Sequence, residues 1–376
     1  MGTTQPKLYA NGGFDVEHKI DPDLFTDSYT ALNEAVDRAV KLSVKWGKPD
    51  KGFIQELKRN NAVFAAFKAH REQNDLAGLL VDDDGNARSF DSFRRAAAPV
   101  IGEYNVNWLQ TEYTTAVRVA RTAVRFKQYE KDGDLYPNGE WLPSRAAEPR
   151  MSHRKYYHTV RRLTDPWWET HYPGCVWGCQ CDMRNTDKPV THVGDNPAAP
   201  GAEPTTVPPS EEAGVRSPGL SRNPARSGEL FSRDHPYFTS AYPGAEKAVA
   251  KKMQTIDVKQ ARKEVQEWAK REVVGKSFLN QEIGKEIEIT STGIKEALNQ
   301  PHKYIREKNE AIRNIKQIIH EAHRVLYRPD DKGNQMVVGY HYLEFELAGE
   351  KSYIVIRETK DGRLMFYSVV DKIKGR

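Results

Sequence analysis

The sequence predicts a multidomain protein. A mostly α N-terminal domain leads into a loop-rich segment dense in Cys, His and Trp. An α+β C-terminal domain follows, with helices packed on an antiparallel sheet. Three observations predict this. Apolar residues recur at helical spacing across much of residues 28–129. The last stretch, from Tyr340, alternates apolar and polar residues between short Gly-containing turns. Between Trp177 and Phe231 there is no Phe, Trp or Tyr, so two apolar regions are separated by one with little to bury. A chain of 376 residues also exceeds the about 100–200 residues usual for one domain.

The elements follow in order. Phe53, Leu57, Phe64 and Phe67 share one helical face. Tyr113, Ala116, Val117, Ala120 and Val124 share another, at i, i+3, i+4, i+7 and i+11. Long helices are therefore expected over much of 28–46, 51–75 and 89–129, with a Val-Asp-Asp-Asp-Gly-Asn turn at 81–86. From Tyr136 to Pro189 the pattern breaks into Pro, Gly, Trp and His, and an irregular segment is expected. Residues 191–228 hold seven prolines among Gly, Ser, Ala and Glu and read as a flexible linker. The expected domains are thus 1–190 and 229–376. In the second, helical spacing returns at 245–272 and a short strand is expected at Ile287–Thr290. Ile312, Ile315, Ile319, Ala322 and Leu326 form the buried stripe of a further helix. Tyr340–Leu347, Ser352–Arg357 and Leu364–Val370 close the chain as an antiparallel meander.

Composition narrows the function classes. Hydrophobic residues make up 38% and charged residues 29%, a balance that builds cores and a hydrated surface. No apolar run approaches the roughly 18 residues of a membrane span, and Met1–Asp15 has no apolar signal core, so no membrane partner is expected. The net charge of +5 is unevenly placed. From Glu229 onward there are 27 Lys and Arg against 22 Asp and Glu, and the rest of the chain carries 30 of each. A polyanionic partner for the C-terminal part is permitted but not demanded.

Several rare residue types stand in fixed order before the linker. They are Thr111-Glu112-Tyr113, then Leu135 to Arg145 (Leu-Tyr-Pro-Asn-Gly-Glu-Trp-Leu-Pro-Ser-Arg), Arg150 and His153. Asp165-Pro166-Trp167-Trp168, His171-Tyr172-Pro173 and Trp177-Gly178-Cys179-Gln180-Cys181 complete the order. This order, over roughly residues 20–190, resembles the phage-Mu-type head morphogenesis family of minor capsid proteins. Gln180 replaces the family's usual Arg between the cysteines, and Cys175 adds a third thiol. The resemblance implies a low-copy head protein of a phage or prophage, active in capsid assembly or DNA packaging. It implies the portal and other head proteins as partners, and assembly in the bacterial host cytoplasm into the head of the virion.

Read for their own chemistry, the same residues offer metal ligands. Cys175, Cys179, Cys181, His153 and His171 supply soft and borderline donors within thirty residues, enough for a four-coordinate structural zinc. A segment with little regular structure would gain most from such a metal. The competing reading is that the thiols are ordinary buried residues and the Trp side chains a small aromatic core.

The C-terminal layout, with Ser291-Thr-Gly-Ile-Lys295, Pro301-His302-Lys303, Gly339-Tyr-His-Tyr342 and Tyr353-Ile-Val-Ile-Arg357, resembles the barnase/EndoU/RelE-like nuclease domains appended to phage head proteins. That resemblance implies RNA cleavage without a catalytic metal or other cofactor. His302 would be general acid or base, Lys295 and Arg357 would hold phosphate, and Tyr353 or Ser368 would donate hydrogen bonds. His341 shares a face with Leu343 and Phe345 and is expected in the core. The alternative is a purely structural head protein whose C-terminal domain binds without catalysis.

Overall fold

A computed structural model of the chain describes residues 9, 14–43, 49–191, 216–331 and 333–373. They divide into two compact units, Met1–Met253 and Gln254–Arg376.

Four helices build most of the first unit: α1 (Pro22–Ser43), α2 (Lys51–Gly78), α3 (Phe90–Gly102) and α4 (Leu109–Lys131). Asp50 and Ser89 start α2 and α3 by accepting the backbone N–H groups of Phe53 and Ser92, donors that the first helical turn leaves unpaired. Helix α2 is central, and every residue from Asn60 to His70 is buried. Its phenylalanine stripe is therefore only part of its buried surface. The helix expected over 89–129 is interrupted by a π turn at Glu103–Trp108. The inward face of α4 includes Glu112 and Thr115 beside Ala116, Val119, Ala120 and Ala123. Apolar periodicity cannot register those two polar positions, so it centred the face on Tyr113 instead.

The expected irregular segment holds a small antiparallel sheet in the order β2-β1-β3, from β1 (Asn138–Leu142), β2 (Val160–Arg162) and β3 (Asp182–Thr186). Strands of three to five residues are too short to display alternation. Gly139 is required in β1, because a Cβ there would stand 2.9 Å from the Trp168 ring. Trp141, Trp168 and Tyr172 are fully buried against this sheet and α4 and form the aromatic core, with Trp168 edge-on to Phe126 at 5.8 Å.

Residues 192–215, most of the expected linker, lie outside the described residues. The expected start of the second domain at Glu229 differs from the observed division after Met253. Residues 216–253 belong to the first unit because a few apolar anchors outweigh their polar composition. Leu220, Ala225 and Leu230 are buried, and Phe231 stacks on Phe64 at 4.0 Å. The Asn60 amide donates to the Phe231 carbonyl at 3.0 Å and accepts its N–H at 2.9 Å. Two short helices, α5 (Pro224–Ser227) and α6 (Pro236–Thr239), lie in this stretch, and α7 (Ala245–Glu272) contributes residues to both units.

The second unit is α+β. Its six-stranded sheet runs β4-β5-β9-β8-β7-β6. The strands are β4 (Ser277–Asn280), β5 (Lys285–Glu288), β6 (His323–Pro329), β7 (Val337–Leu347), β8 (Glu350–Thr359) and β9 (Leu364–Val370). The expected meander is β7-β8-β9. The sheet is mixed rather than antiparallel throughout, because β5 pairs with β9 in parallel. Helices α8 (Ser291–Asn299), α9 (Ile305–Ala311) and α10 (Ile315–Glu321) cover one face. Ile294, Leu298, Ile315 and Ile319 bury there against Leu343, Ile354, Ile356 and Phe366. The helix expected to reach Leu326 ends at Ala322, whose backbone is extended, and Leu326 lies in β6. The Asn280 amide fixes that end by donating to the Ile319 and Ala322 carbonyls. Gly293 has a packing reason: a Cβ there would fall 2.0 Å from the Phe366 carbonyl oxygen, so α8 lies directly on β9.

Candidate functional site

The cysteine loop runs from the turn Pro166–Glu169 into β3 and packs on the 3-10 turn Met151–Tyr156, which carries His153. His153 is buried, and its Nδ1 lies 3.6 Å from the sulfurs of both Cys179 and Cys181. These three donors form a group close enough to share one ion. Zn–S bonds of about 2.3 Å and Zn–N bonds of about 2.05 Å at the tetrahedral angle put sulfur and nitrogen about 3.6 Å apart. The observed spacing is compatible with a shared metal.

Cys175 and His171 take other places. The Cys175 sulfur lies 4.0 Å from Nε2, on the opposite edge of the His153 ring from the other two thiols. His171 stacks on Trp167 at 4.8 Å, with its Nδ1 3.0 Å from the Thr170 hydroxyl, outside the group.

The thiols differ in acidity. The hydrogen bond from Cys181 holds the Cys179 thiol below its ordinary value against the effect of burial, and His153 adds to this. That same bond, followed by burial, pushes Cys181 up, and the indole of Trp141 opposes the rise. Burial pushes Cys175 up to about 12, so this thiol keeps its proton.

Arginines fasten the loop. Arg118 of α4 donates to the Gly178 and Cys179 carbonyls at 3.2 and 3.3 Å, and Arg150 donates to the Trp177 carbonyl at 3.2 Å. Arg125 holds Asp182, the residue after Cys181, and also donates to the Met183 carbonyl. Asp165 accepts the Trp167 N–H and so opens the turn Pro166–Glu169 that buries Trp168. The ordered residue types of the sequence thus meet in one folded knot, as the candidate ligands and the parts that position them. Arg125 carries no spacing signal and became visible only in the fold.

A second buried polar group lies in the helices. Lys68, fully buried, donates to Glu112 at 2.5 Å, and the Tyr237 hydroxyl donates to the other Glu112 oxygen at 2.9 Å. Burial raises the Glu112 carboxyl above its ordinary value, and Lys68 and Tyr237 pull it back. Burial likewise pushes Glu72 up to about 7, against the hydrogen bond it accepts from Asn105 in the π turn.

In the second unit the five candidate catalytic residues do not converge. His302 Nε2 lies 3.3 Å from the Ser352 hydroxyl, and its Nδ1 accepts the Tyr304 N–H at 3.0 Å. Ser352 shares the helix-covered face with Ile354 and Ile356, and exposed Lys295 on α8 belongs to that side. Tyr353 and Arg357 alternate onto the other face, where Arg357 stacks on Tyr367 at 4.1 Å. Ser368 pairs across from Val355 on that same face and is buried. His341 is buried against Glu358 at 3.1 Å, as its position among core residues implied.

Comparison with known proteins finds two kinds of similarity. The chain is 32% identical over 108 residues to a protein of Escherichia phage Mu provisionally named capsid assembly protein F. That alignment covers 28% of this chain and 22% of the relative. Over that stretch the chain is similar to a phage capsid assembly protein. It is also 29% identical over 104 residues to the Mu-like prophage FluMu F protein of Haemophilus influenzae, again covering 28% and 22%. The match thus spans about a fifth of the length of these curated relatives. Residues 256–367 match the family model described as Large polyvalent protein-associated domain 3, and they fall within the second unit. No solved structure matches the chain. Among the described residues, no helix is long and apolar enough to cross a membrane.

Proposed function

We propose that this chain is a minor head protein of a tailed phage or prophage, acting in capsid assembly or DNA packaging. The similarity to the phage Mu protein carries the reading. The folded Cys-His-Trp knot supports it, because the residue types that suggested the family are the ones that build the knot. The partners are then the portal and other head proteins, met in the host cytoplasm and retained in the head. Deleting the gene should leave lysates without filled heads, and the intact chain supplied in trans should restore them. Normal titres of filled particles without it would overturn the reading.

The knot binds structural zinc through His153 Nδ1, Cys179 and Cys181, with a fourth ligand completing the tetrahedron. The Cys175 sulfur accepts a hydrogen bond from His153 Nε2–H and fixes the ring, the role that outer partners of metal-bound histidines play.

The second unit is a binding module rather than a ribonuclease, and RNA is the partner its charge permits. A general acid–base pair and its phosphate-binding cations must meet at one reacting group, whereas His302 and Arg357 lie on opposite faces of the sheet. The purified chain should cleave single-stranded RNA in chelator no faster than its His302→Ala variant. A rate higher than the variant's by the factor of about 10²–10⁴ expected of a lost acid or base would restore the catalytic reading.

A further inference from the structure

The first unit holds an open cavity of about 270 Å³ that neither the metal centre nor the head-protein reading uses. Trp108, Trp177, His235 and Tyr237 wall it, buried Glu112 lies at its base, and Arg71 lines it as well. Four separate pieces of chain meet there: α2, the π turn and α4, the cysteine loop, and the stretch after residue 216. Trp108 is 38% exposed, and Val106 beside it on the same turn is 58% exposed. π turns are rare and recur at functional sites, and this one sets a large aromatic side chain at the edge of a hole.

The polar groups decide what fits. The negative charge of Glu112 is matched by Lys68 at 2.5 Å, and its second oxygen already accepts from Tyr237. A cationic ligand would therefore find no free anion and would face the Arg71 guanidinium. His235 accepts the Tyr237 N–H at Nδ1, which leaves its proton on Nε2 as a donor. Burial holds His235 down to about 4, so the ring is neutral. The groups left to serve a ligand are His235 Nε2–H and the remaining N–H groups of Arg71, whose Nη1 already donates to the Pro236 and Ser240 carbonyls at 3.1 and 3.5 Å, set among aromatic rings. Rings pack edge-on or offset against such walls, and pockets of this kind take the aromatic anchors of protein partners.

We propose that this cavity docks an aromatic side chain of a partner protein that carries a carboxylate next to it. The ring fills the space between Trp108, Trp177 and Tyr237, and the carboxylate pairs with Arg71. The exposed apolar turn around Val106 continues the contact onto the partner's surface.

N-acetyl-phenylalanine is the probe, titrated into full-length chain with its tryptophan indole nitrogens labelled with ¹⁵N. The Trp108 indole signal, assigned by its loss in Trp108→Ala, should shift saturably. The phenylalanine amide, without the charge, should bind roughly tenfold more weakly, the factor that corresponds to about 1.4 kcal/mol. N-acetyl-leucine should bind more weakly than N-acetyl-phenylalanine. Arg71→Met should erase the difference between acid and amide, and Trp108→Ala should abolish binding without lowering the melting temperature. No saturable shift up to the probe's solubility limit would overturn the proposal, as would equal binding to Trp108→Ala. Tighter binding of N-acetyl-argininamide than of the phenylalanine probe would make the cavity a cation site and overturn it equally. None of these outcomes depends on head assembly, so the two readings fail separately.

Discussion

Protein purified without chelator is expected to carry about one zinc per chain, and stripping it is expected to lower the melting temperature of the first unit. The expectation rests on the 3.6 Å spacing of His153 Nδ1 from two thiols. Structural zinc contributes roughly 10–16 kcal/mol of apparent binding energy in peptides that cannot fold without it. The small sheet and its Trp core bury apolar surface of their own, so the unit should survive metal loss in a weakened form. Single variants separate the roles. Cys179→Ser and Cys181→Ser should each abolish stoichiometric binding. Cys175→Ser should keep the metal with affinity lowered about 10–100-fold, the usual effect of losing a partner behind a ligating histidine. His171→Ala should leave stoichiometry unchanged, because that ring stacks on Trp167. Affinity should fall with falling pH, since both thiols must lose their protons to bind. Metal-free protein whose melting is indifferent to chelator would return the thiols to the core.

The sequence made the knot legible because Cys, His and Trp are rare and stood in a fixed order. It could not choose between His153 and His171, since that choice depends on which way a 3-10 turn points a ring. Nor could it separate Cys175 from the other thiols, which requires knowing the two edges of one imidazole. The meander β7-β8-β9 was readable from alternation, whereas β4 and β6 are short or irregular and the parallel β5·β9 pair depends on a connection through three helices. The linker was placed by composition, and composition averages away single anchors such as Leu220 and Phe231. In the C-terminal motifs, residue types alone suggested catalysis. Gly293 is explained by the approach of α8 to β9, and strand alternation parts Tyr353 from the side chain beside His302.

Replacing Lys68 by Met is expected to destabilise the first unit by roughly 3–5 kcal/mol, the usual result of removing one partner from a buried ion pair. Lys68 is wholly buried and the Glu112 side chain is 4% exposed, so neither charge can turn to water. The pair itself contributes little net stability, because desolvating both ions offsets most of their attraction. Its loss is costly because Glu112 would keep only the Tyr237 hydroxyl as a donor. Burial already raises this carboxyl despite Lys68, and without the ammonium it would rise further. The sign of the pH dependence follows. A carboxyl whose folded pKa lies above its unfolded value of about 4.3 carries no penalty when protonated in both states. The penalty grows as pH rises from there to the folded value. Lys68→Met should therefore be nearly as stable as the parent chain near pH 4 and fall away from it by pH 8. The double variant Lys68→Met/Glu112→Gln removes the charge, retains an acceptor for Tyr237, and should recover most of the loss at pH 8. Denaturant melts at the two pH values measure this. Losses that simply add in the double variant, or that are equal at both pH values, would mean that Lys68 supports the helices through its packing and not through Glu112.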